Sequence, residues 1–242
     1  MHDLEPALAP DLVAGMLMPR NRAVRSPRRY VEGVARTVAE RGGRWLQAEA
    51  RRFVHQGDRV TAVATDRGEV PADAVVLAAG VLSRRLAASA GARVPLEAER
   101  GYHVVLPHPE PTLSRPVYSV EGGFVLAPME DGVRLTGGVE LASPTAPPDY
   151  RRVRRLVEKA RAMVPGLEPR TLSEWQGCRP SLPDSLPVLG RAPGRANLFL
   201  AFGHQHVGLT LGPVTGRIMA DLVAGRDPGV DLAPFGAGRR FF

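Results

Sequence analysis

Trp175-Gln176-Gly177-Cys178-Arg179-Pro180-Ser181-Leu182-Pro183-Asp184-Ser185-Leu186-Pro187-Val188-Leu189-Gly190 leads through Asn197-Leu198-Phe199-Leu200-Ala201-Phe202 into Gly203-His204-Gln205-His206-Val207-Gly208-Leu209-Thr210-Leu211-Gly212-Pro213. In physical terms an arginine on a Pro-punctuated loop precedes an apolar strand. The strand opens into a glycine-containing turn, and the turn delivers the chain onto a helix N-terminus. Glycine permits positive φ and close approach of backbone to a ligand, and a helix N-terminus presents unpaired N–H groups. A guanidinium is shaped for a carboxylate. The turn therefore suits a bound cofactor, and the arginine suits a bound carboxylate.

To the N-terminal side, Ser26-Pro27 reads as an N-cap and first helical position. Tyr30, Val31, Val34, Ala35 and Val38 follow at helical spacing, and Gly42-Gly43 ends the helix. A short strand is expected near Trp45-Leu46 and another from Val60 to Ala64. Ala74-Val75-Val76-Leu77-Ala78-Ala79 is a continuous apolar run, which predicts a central strand of a parallel sheet, buried on both faces. It stops at Gly80, and Ser83 to Ala90 reads as a short helix. The pattern then changes. Tyr102 to Leu106, Val117 to Pro128 and Val133 to Leu141 read as antiparallel strands, the last two joined at Glu130-Asp131-Gly132. Asp149 is placed to cap a helix with the stripe Val153, Leu156, Val157, Ala160 and Val164, ended by Pro165-Gly166. A final helix is expected from Pro213 to Gly225, burying Val214, Ile218, Met219, Leu222 and Val223. Mixed α/β segments bracketing an antiparallel middle predict a split nucleotide-binding domain with an inserted α+β substrate domain. The expected segments are 1–27 (end of a substrate-domain segment), 28–95 (nucleotide-binding), 96–172 (antiparallel substrate domain) and 173–242 (C-terminal nucleotide-binding segment).

Composition narrows the classes. A hydrophobic share of 44% over 242 residues supports a sizeable core. Glycine and proline make up about a fifth of the chain, below the roughly 25–30% of low-complexity sequences. No run of about 18 apolar residues predicts a transmembrane helix, and Met1 to Pro6 lacks a signal-peptide layout. Cys178 is the only cysteine, so no internal disulfide is expected, and the setting predicted is cytoplasmic. The formal charge of +7 is carried by arginines, Lys159 being the only lysine. The arginines are scattered pairs plus a cluster at Arg151, Arg152, Arg154 and Arg155, without a nucleic-acid module. Nucleic acid is therefore not an expected partner. An anionic lipid surface has charge alone in its favour, with no amphipathic anchor to support it. The six histidines show no metal-ligand spacing, so no metal site is expected. Cys178 has no His/Asn partner pattern that would make it a nucleophile.

Four segments together resemble the D-amino-acid oxidase superfamily of FAD-dependent amine oxidoreductases, in the manner of glycine oxidase and bacterial D-amino-acid dehydrogenase. They are Leu4-Glu5-Pro6-Ala7-Leu8 with the later Ser26-Pro27, Ala72 to Gly80, Arg100-Gly101-Tyr102-His103, and the opening stretch. Asp231 to Phe241 resembles the family terminus. One departure is large. The family's βαβ unit with G-x-G-x-x-G, whose helix N-terminus holds the FAD pyrophosphate, has no counterpart here, and Met1 corresponds to an interior family position. The chain thus reads as the C-terminal part of a flavoenzyme, from a truncated frame, a misplaced start or one half of a split protein.

The resemblance implies that FAD accepts hydride from the α-carbon of an amino acid, either a D-amino acid or a glycine-like one. The imine formed then hydrolyses to an oxo acid. It implies that Arg179 grips the substrate carboxylate, the other reading being a surface salt bridge. It implies that Gly203, His204, His206, Val207, Gly208, Leu209 and Thr210 approach the flavin, and that Ala79, Gly80 and Arg51 lie along the nucleotide. Tyr102 and Phe124 are candidate pocket walls, with His206 beside them in the substrate site. For Tyr102 and Phe124 the other reading is an aromatic core, and for the two histidines a structural hydrogen bond. The partners implied are an amino-acid substrate and an N-terminal FAD-binding partner chain. The competing function is a non-catalytic remnant or subunit that does not hold FAD alone.

Overall fold

The computed structural model describes residues 1–242 and divides into two units. Unit 1 comprises Met1–Arg44 and Arg100–Gly177, and unit 2 comprises Trp45–Glu99 and Cys178–Phe242. The expected mixed fold is found, with a largely antiparallel middle set into a chain that forms a layered α/β unit on either side of it.

In unit 1, α1 (Pro27–Glu40) begins as expected. The Ser26 side chain accepts from the Arg29 N–H, and Pro27 opens the first turn. The central sheet contains β5 (Glu97–Leu106), β6 (Val117–Ser119), β7 (Phe124–Pro128), β8 (Val133–Gly137), β9 (Glu140–Leu141) and β10 (Ser173–Ser181). Their order is β10-β5-β8-β7-β6, with β9 also on β5, and the division between units falls within β5 and β10. Val117 to Pro128 is two strands rather than one, because Gly122 and Gly123 (φ +67°) turn the chain between β6 and β7. The 133–141 stretch likewise breaks at Gly138 (φ +73°). β7 and β8 pair antiparallel from Phe124↔Gly137 to Pro128↔Val133, across the turn expected at 130–132.

The alternation of β5 places Tyr102, Val104 and Leu106 on one face. They pack with Phe124, Leu126, Val133 and Leu135 against α3 (Arg151–Arg154) and α4 (Leu156–Met163). Val153, Val157, Ala160 and Val164 of the expected stripe are in that core. The helix is interrupted at Arg155. Asp149 accepts from the Arg151 N–H at 3.0 Å, but the N-cap position is Tyr150, one residue later than expected and without a side-chain cap bond. The N-terminal segment is tied down by Glu5, whose buried carboxylate accepts from the Ser114 N–H and hydroxyl at 3.0 and 2.7 Å.

Unit 2 has three layers. A three-stranded sheet has the order β11 (Val188–Arg191), β12 (Leu198–Phe202), β4 (Val75–Leu77), with β12 and β4 parallel. On one face α5 (Gly208–Val223) buries Ile218 and Met219 against Leu189 and Phe199. On the other, Leu77, Val188, Leu198, Leu200 and Phe202 meet Phe53 and Val60 of the antiparallel sheet β1 (Ala50–Gln56), β2 (Arg59–Thr65), β3 (Gly68–Pro71). Leu86 of α2 (Ser83–Ser89) joins them. Asn197 ties the layers together. Its amide exchanges hydrogen bonds with the Val60 N–H (2.8 Å) and carbonyl (2.7 Å) and donates to the Asp73 carbonyl at 2.6 Å.

Several expectations are corrected. Trp45 and Leu46 are exposed irregular chain, and the first strand begins at Ala50, where β1 finds β2 as a partner. β4 is shorter than the apolar run and sits at a sheet edge with only β12 beside it, so Val76 is 40% exposed instead of buried. α5 begins at Gly208, five residues before Pro213, which sits inside the helix. The i−4 ladder has already begun with the Leu211 N–H on the Val207 carbonyl, so Pro213 leaves the Leu209 carbonyl without its i−4 donor. Of the residues expected to be buried by this helix, Val214 and Val223 are exposed. α1 buries none of its residues, and Tyr30, Val31, Val34 and Val38 are 42–56% exposed. An amphipathic helix with an open apolar face is therefore present after all.

Candidate functional site

Arg179 lies in a strand, not a loop. β10 carries it, and Pro180 beside it is tolerated because β10 is an edge strand of its sheet. The side chain is half-buried and forms no ion pair, against the surface-salt-bridge reading. Its Nη1 is sealed from solvent with no hydrogen-bond partner. A buried guanidinium N–H without an acceptor is a standing cost in the free fold, and a carboxylate is the group that would relieve it.

The turn after β12 is fixed at several points within unit 2. Gly203 is buried at φ +89°, and a Cβ there would come within 2.6 Å of Leu182 Cδ1. Gln205 adopts φ +48°, uncommon for a non-glycine residue. Its N–H donates to the Pro180 carbonyl at 3.1 Å and its side-chain amide to the Leu182 carbonyl at 2.8 Å. The turn is thereby stapled to the strand end that carries Arg179. His204 Nε2 lies 2.9 Å from Thr215 Oγ1, and burial holds its pKa below the usual imidazole value. His206 Nε2 lies 3.1 Å from Glu99 Oε2.

From this turn the chain enters α5 with no side-chain cap and no acid in its first turn. Val207, Leu209 and Thr210 are exposed and Gly208 half-buried. The orphan amides and the positive end of the helix dipole are thus free to meet an electron-rich ring edge or an anion. Ala79 and Gly80 lie at the end of β4, where Gly80 (φ +57°) opens a short 3-10 turn. Arg51 is exposed on β1.

The structure thus gathers Arg179 and the 203–210 turn through the Gln205 bonds. Tyr102 and Phe124 belong to the interior core of unit 1, at 3% and 2% exposure. The Tyr102 hydroxyl donates to Glu140 at 2.5 Å, and burial with this carboxylate raises its pKa. Three residues were missed by sequence reasoning: Gln205, Thr215 and Glu99. Thr215 lies on the inward face of α5, visible once the helix is begun at Gly208. Glu99 is 107 residues from His206 and carries no local signal. A groove of about 520 Å³ lined by Arg93, Val94, Pro95, Arg240, Phe241 and Phe242 contains none of these residues.

The family model described as FAD dependent oxidoreductase matches residues 1–222. The chain belongs to that family. It is 36% identical to a D-amino-acid oxidase of Bradyrhizobium diazoefficiens over 244 residues, covering 99% of itself and 58% of that protein. It is 33% identical to a D-amino acid dehydrogenase of Paramagnetospirillum magneticum, covering 98% of itself and 57% of the relative. Among solved structures it superposes on glycine oxidase from Geobacillus kaustophilus with a TM-score of 0.88 at 29% identity, covering 99% of this chain and 65% of that one. The chain therefore spans somewhat less than two thirds of the length of these relatives. No helix is long and apolar enough to cross a membrane.

Proposed function

We propose that this chain supplies the substrate-gripping and flavin-edge half of an enzyme that oxidises the C–N bond of an amino acid, of the D- or glycine type, with FAD as the cofactor. The observation that carries the reading is the sealed, unmatched Nη1 of Arg179 on a strand end tied to the 203–210 turn. The names of the relatives, D-amino-acid oxidase and glycine oxidase, agree with such a substrate. The setting proposed is cytoplasmic.

The residues fit one part of the cofactor. The uncapped start of α5 suits the pyrimidine edge of a flavin, and the positive φ at Gly203 lets backbone approach a flat ring closely. Ala79 and Gly80 would lie along the nucleotide. When bound, FAD supplies the two-electron acceptor for the hydrogen leaving the substrate α-carbon. Arg179 pairs with the carboxylate and fixes which C–H is presented, a positioning role. The α5 dipole favours negative charge developing near its first turn, by about 0.3–1 kcal/mol when exposed and up to about 2 when partly buried. His204, held neutral and bonded to Thr215, orders the turn.

The nucleotide-holding half is proposed to come from polypeptide beyond these residues, joined to them or as a partner chain. The open edge of β4 and the bare apolar stripe of α1 support it. They equally support the second reading, a subunit or remnant that does not hold FAD alone.

The test is Arg179→Ala in the complete, FAD-loaded enzyme. KM should rise at least tenfold for an amino acid and change little for the matching amine lacking a carboxylate. Equal effects on both would remove Arg179 from the carboxylate site.

A further inference from the structure

Three consecutive residues of the turn after β12 each reach a different element of unit 2. His204 meets Thr215 of α5, Gln205 bonds to Pro180 of β10, and His206 Nε2 lies 3.1 Å from Glu99 Oε2 on β5. The proposed function leaves the last contact without a role. A carboxylate oxygen only accepts, so the hydrogen of this contact sits on His206 Nε2. In the neutral ring Nδ1 then carries the lone pair. Nδ1 meets no partner in the fold, and the His206 side chain is 52% exposed, so that lone pair is open. An acid behind the ring also stabilises the imidazolium that forms once Nδ1 takes a proton.

The strands place this pair beside Arg179. β5 and β10 are neighbours in their sheet. His103 of β5 stacks on Trp175 of β10, with ring centroids 5.2 Å apart and planes 25° from parallel. The indole lies over Gly177, where a Cβ would fall 2.0 Å from its Cη2. The period of two groups Glu99 with His103, and Arg179 with Trp175 and Gly177. Glu99 and Arg179 therefore stand on one face of adjoining strands, which run about 4.8 Å apart. His206, held by Glu99, is brought to that face. His103 is no equivalent base: burial, then the Arg134 charge, press its pKa down to about 4 against the opposite pull of Asp131.

We propose that Glu99 is a positioning residue for amino-acid oxidation: it holds His206 so that Nδ1 takes the proton of the substrate α-ammonium while Arg179 holds the carboxylate. An α-amino acid carries both charged groups on one carbon, which matches two sites on adjoining strands. The step moves one proton and no electrons. An N–H bond of the ammonium breaks, its electron pair stays on nitrogen as the lone pair, and the proton bonds to Nδ1 through the imidazole lone pair. The products are a neutral amine, the form from which the α-hydrogen departs, and an imidazolium paired with Glu99. This role rests on the proposed function and adds the amine side of its site.

Two readouts test it. In the isolated chain, 15N NMR of the neutral His206 ring should show the hydrogen on Nε2, and Glu99→Ala should release it into a mixture of tautomers. In the complete, FAD-loaded enzyme at pH 7, D-alanine is compared with its 3,3,3-trifluoro analogue, whose amine is already neutral. His206→Ala should lower kcat/KM for D-alanine by about a hundredfold or more, and the isosteric Glu99→Gln by about tenfold, with either change below about threefold for the trifluoro compound. Added imidazole should restore part of the His206→Ala loss on D-alanine alone. A parent ring with its hydrogen on Nδ1, a tautomer unchanged by Glu99→Ala, or losses that are absent or equal on the two substrates would each overturn the proposal while leaving Arg179 in its role. A loaded parent enzyme that oxidises neither compound would overturn the functional reading and this role with it.

Discussion

The Nη1 of the Arg179 guanidinium is sealed from solvent and meets no acceptor. Removing such a group deletes an unmet desolvation cost, so Arg179→Met should leave the free chain as stable as the parent or up to about 1 kcal/mol more stable. Urea unfolding measures this, and a loss above about 2 kcal/mol would mean Arg179 supports the fold instead. His103 makes a second claim at this scale. Its folded pKa is about 4, against about 6.5 in an unfolded chain. Above pH 6.5 the ring is neutral in both states and its contribution is complete. Between 6.5 and 4 the unfolded chain takes up a proton that the folded one refuses, so stability falls with pH, by less than about 1.4 kcal/mol per unit because solvent screens the partly exposed ring. His103→Phe keeps a ring on Trp175 and should remove this part of the slope when the two pH–stability curves are subtracted. Identical slopes would show that His103 titrates freely. That Arg179 suits a carboxylate was legible from residue type, while its role was given only by the family resemblance. Its surroundings were not, since Gln205, Thr215 and Glu99 reach the turn only through the tertiary fold.

At the scale of elements, the strand-turn-helix after Asn197 was readable as a unit, because apolar residues 198–202 and the following glycine leave few alternatives. Its boundary was misread at Pro213. Proline reads as a first helical residue, yet position 213 is the sixth residue of α5, where its missing N–H leaves the Leu209 carbonyl without an i−4 donor. β10 was misread as loop for a related reason: prolines at 180 and 183 punctuate a segment that pairs on one side only. The turn itself yields a direct test. Gly203→Ala places a side chain at φ +89° and within 2.6 Å of Leu182 Cδ1. The backbone strain and the displaced leucine together should cost about 2–4 kcal/mol. The variant should also loosen the Gln205 bonds to Pro180 and Leu182. Hydrogen exchange at the Gln205 amide reads that loosening. Protection equal to the parent would show that the turn does not depend on this glycine.

For the whole molecule, the mixture of helices with an antiparallel middle was readable from one sequence because the hydrophobic period changes along the chain. Burial was not readable to the same degree, because an apolar run states what a segment needs covered and not what covers it. β4 and α1 show the gap. Val76, Val31 and Val34 are each 40–56% exposed on elements whose patterns ask for partners. The same two faces bear on the cofactor. The chain has an uncapped start to α5 and the proposed cofactor turn before it, but no G-x-G-x-x-G sequence of the kind that holds a pyrophosphate. Incubated with FAD and desalted, residues 1–242 alone should retain less than about a tenth of an equivalent of flavin, read from visible absorbance. A family segment bearing the fingerprint, added as a second chain, should restore retention by covering α1. Val31→Ser with Val34→Ser then separates folding from docking. As exposed changes they should alter the stability of the isolated chain by no more than about 0.5 kcal/mol, while abolishing the restored flavin binding. Stoichiometric flavin on the isolated chain would show that these residues hold the cofactor unaided. Retention unaffected by the double serine variant would place the docking surface elsewhere than on α1.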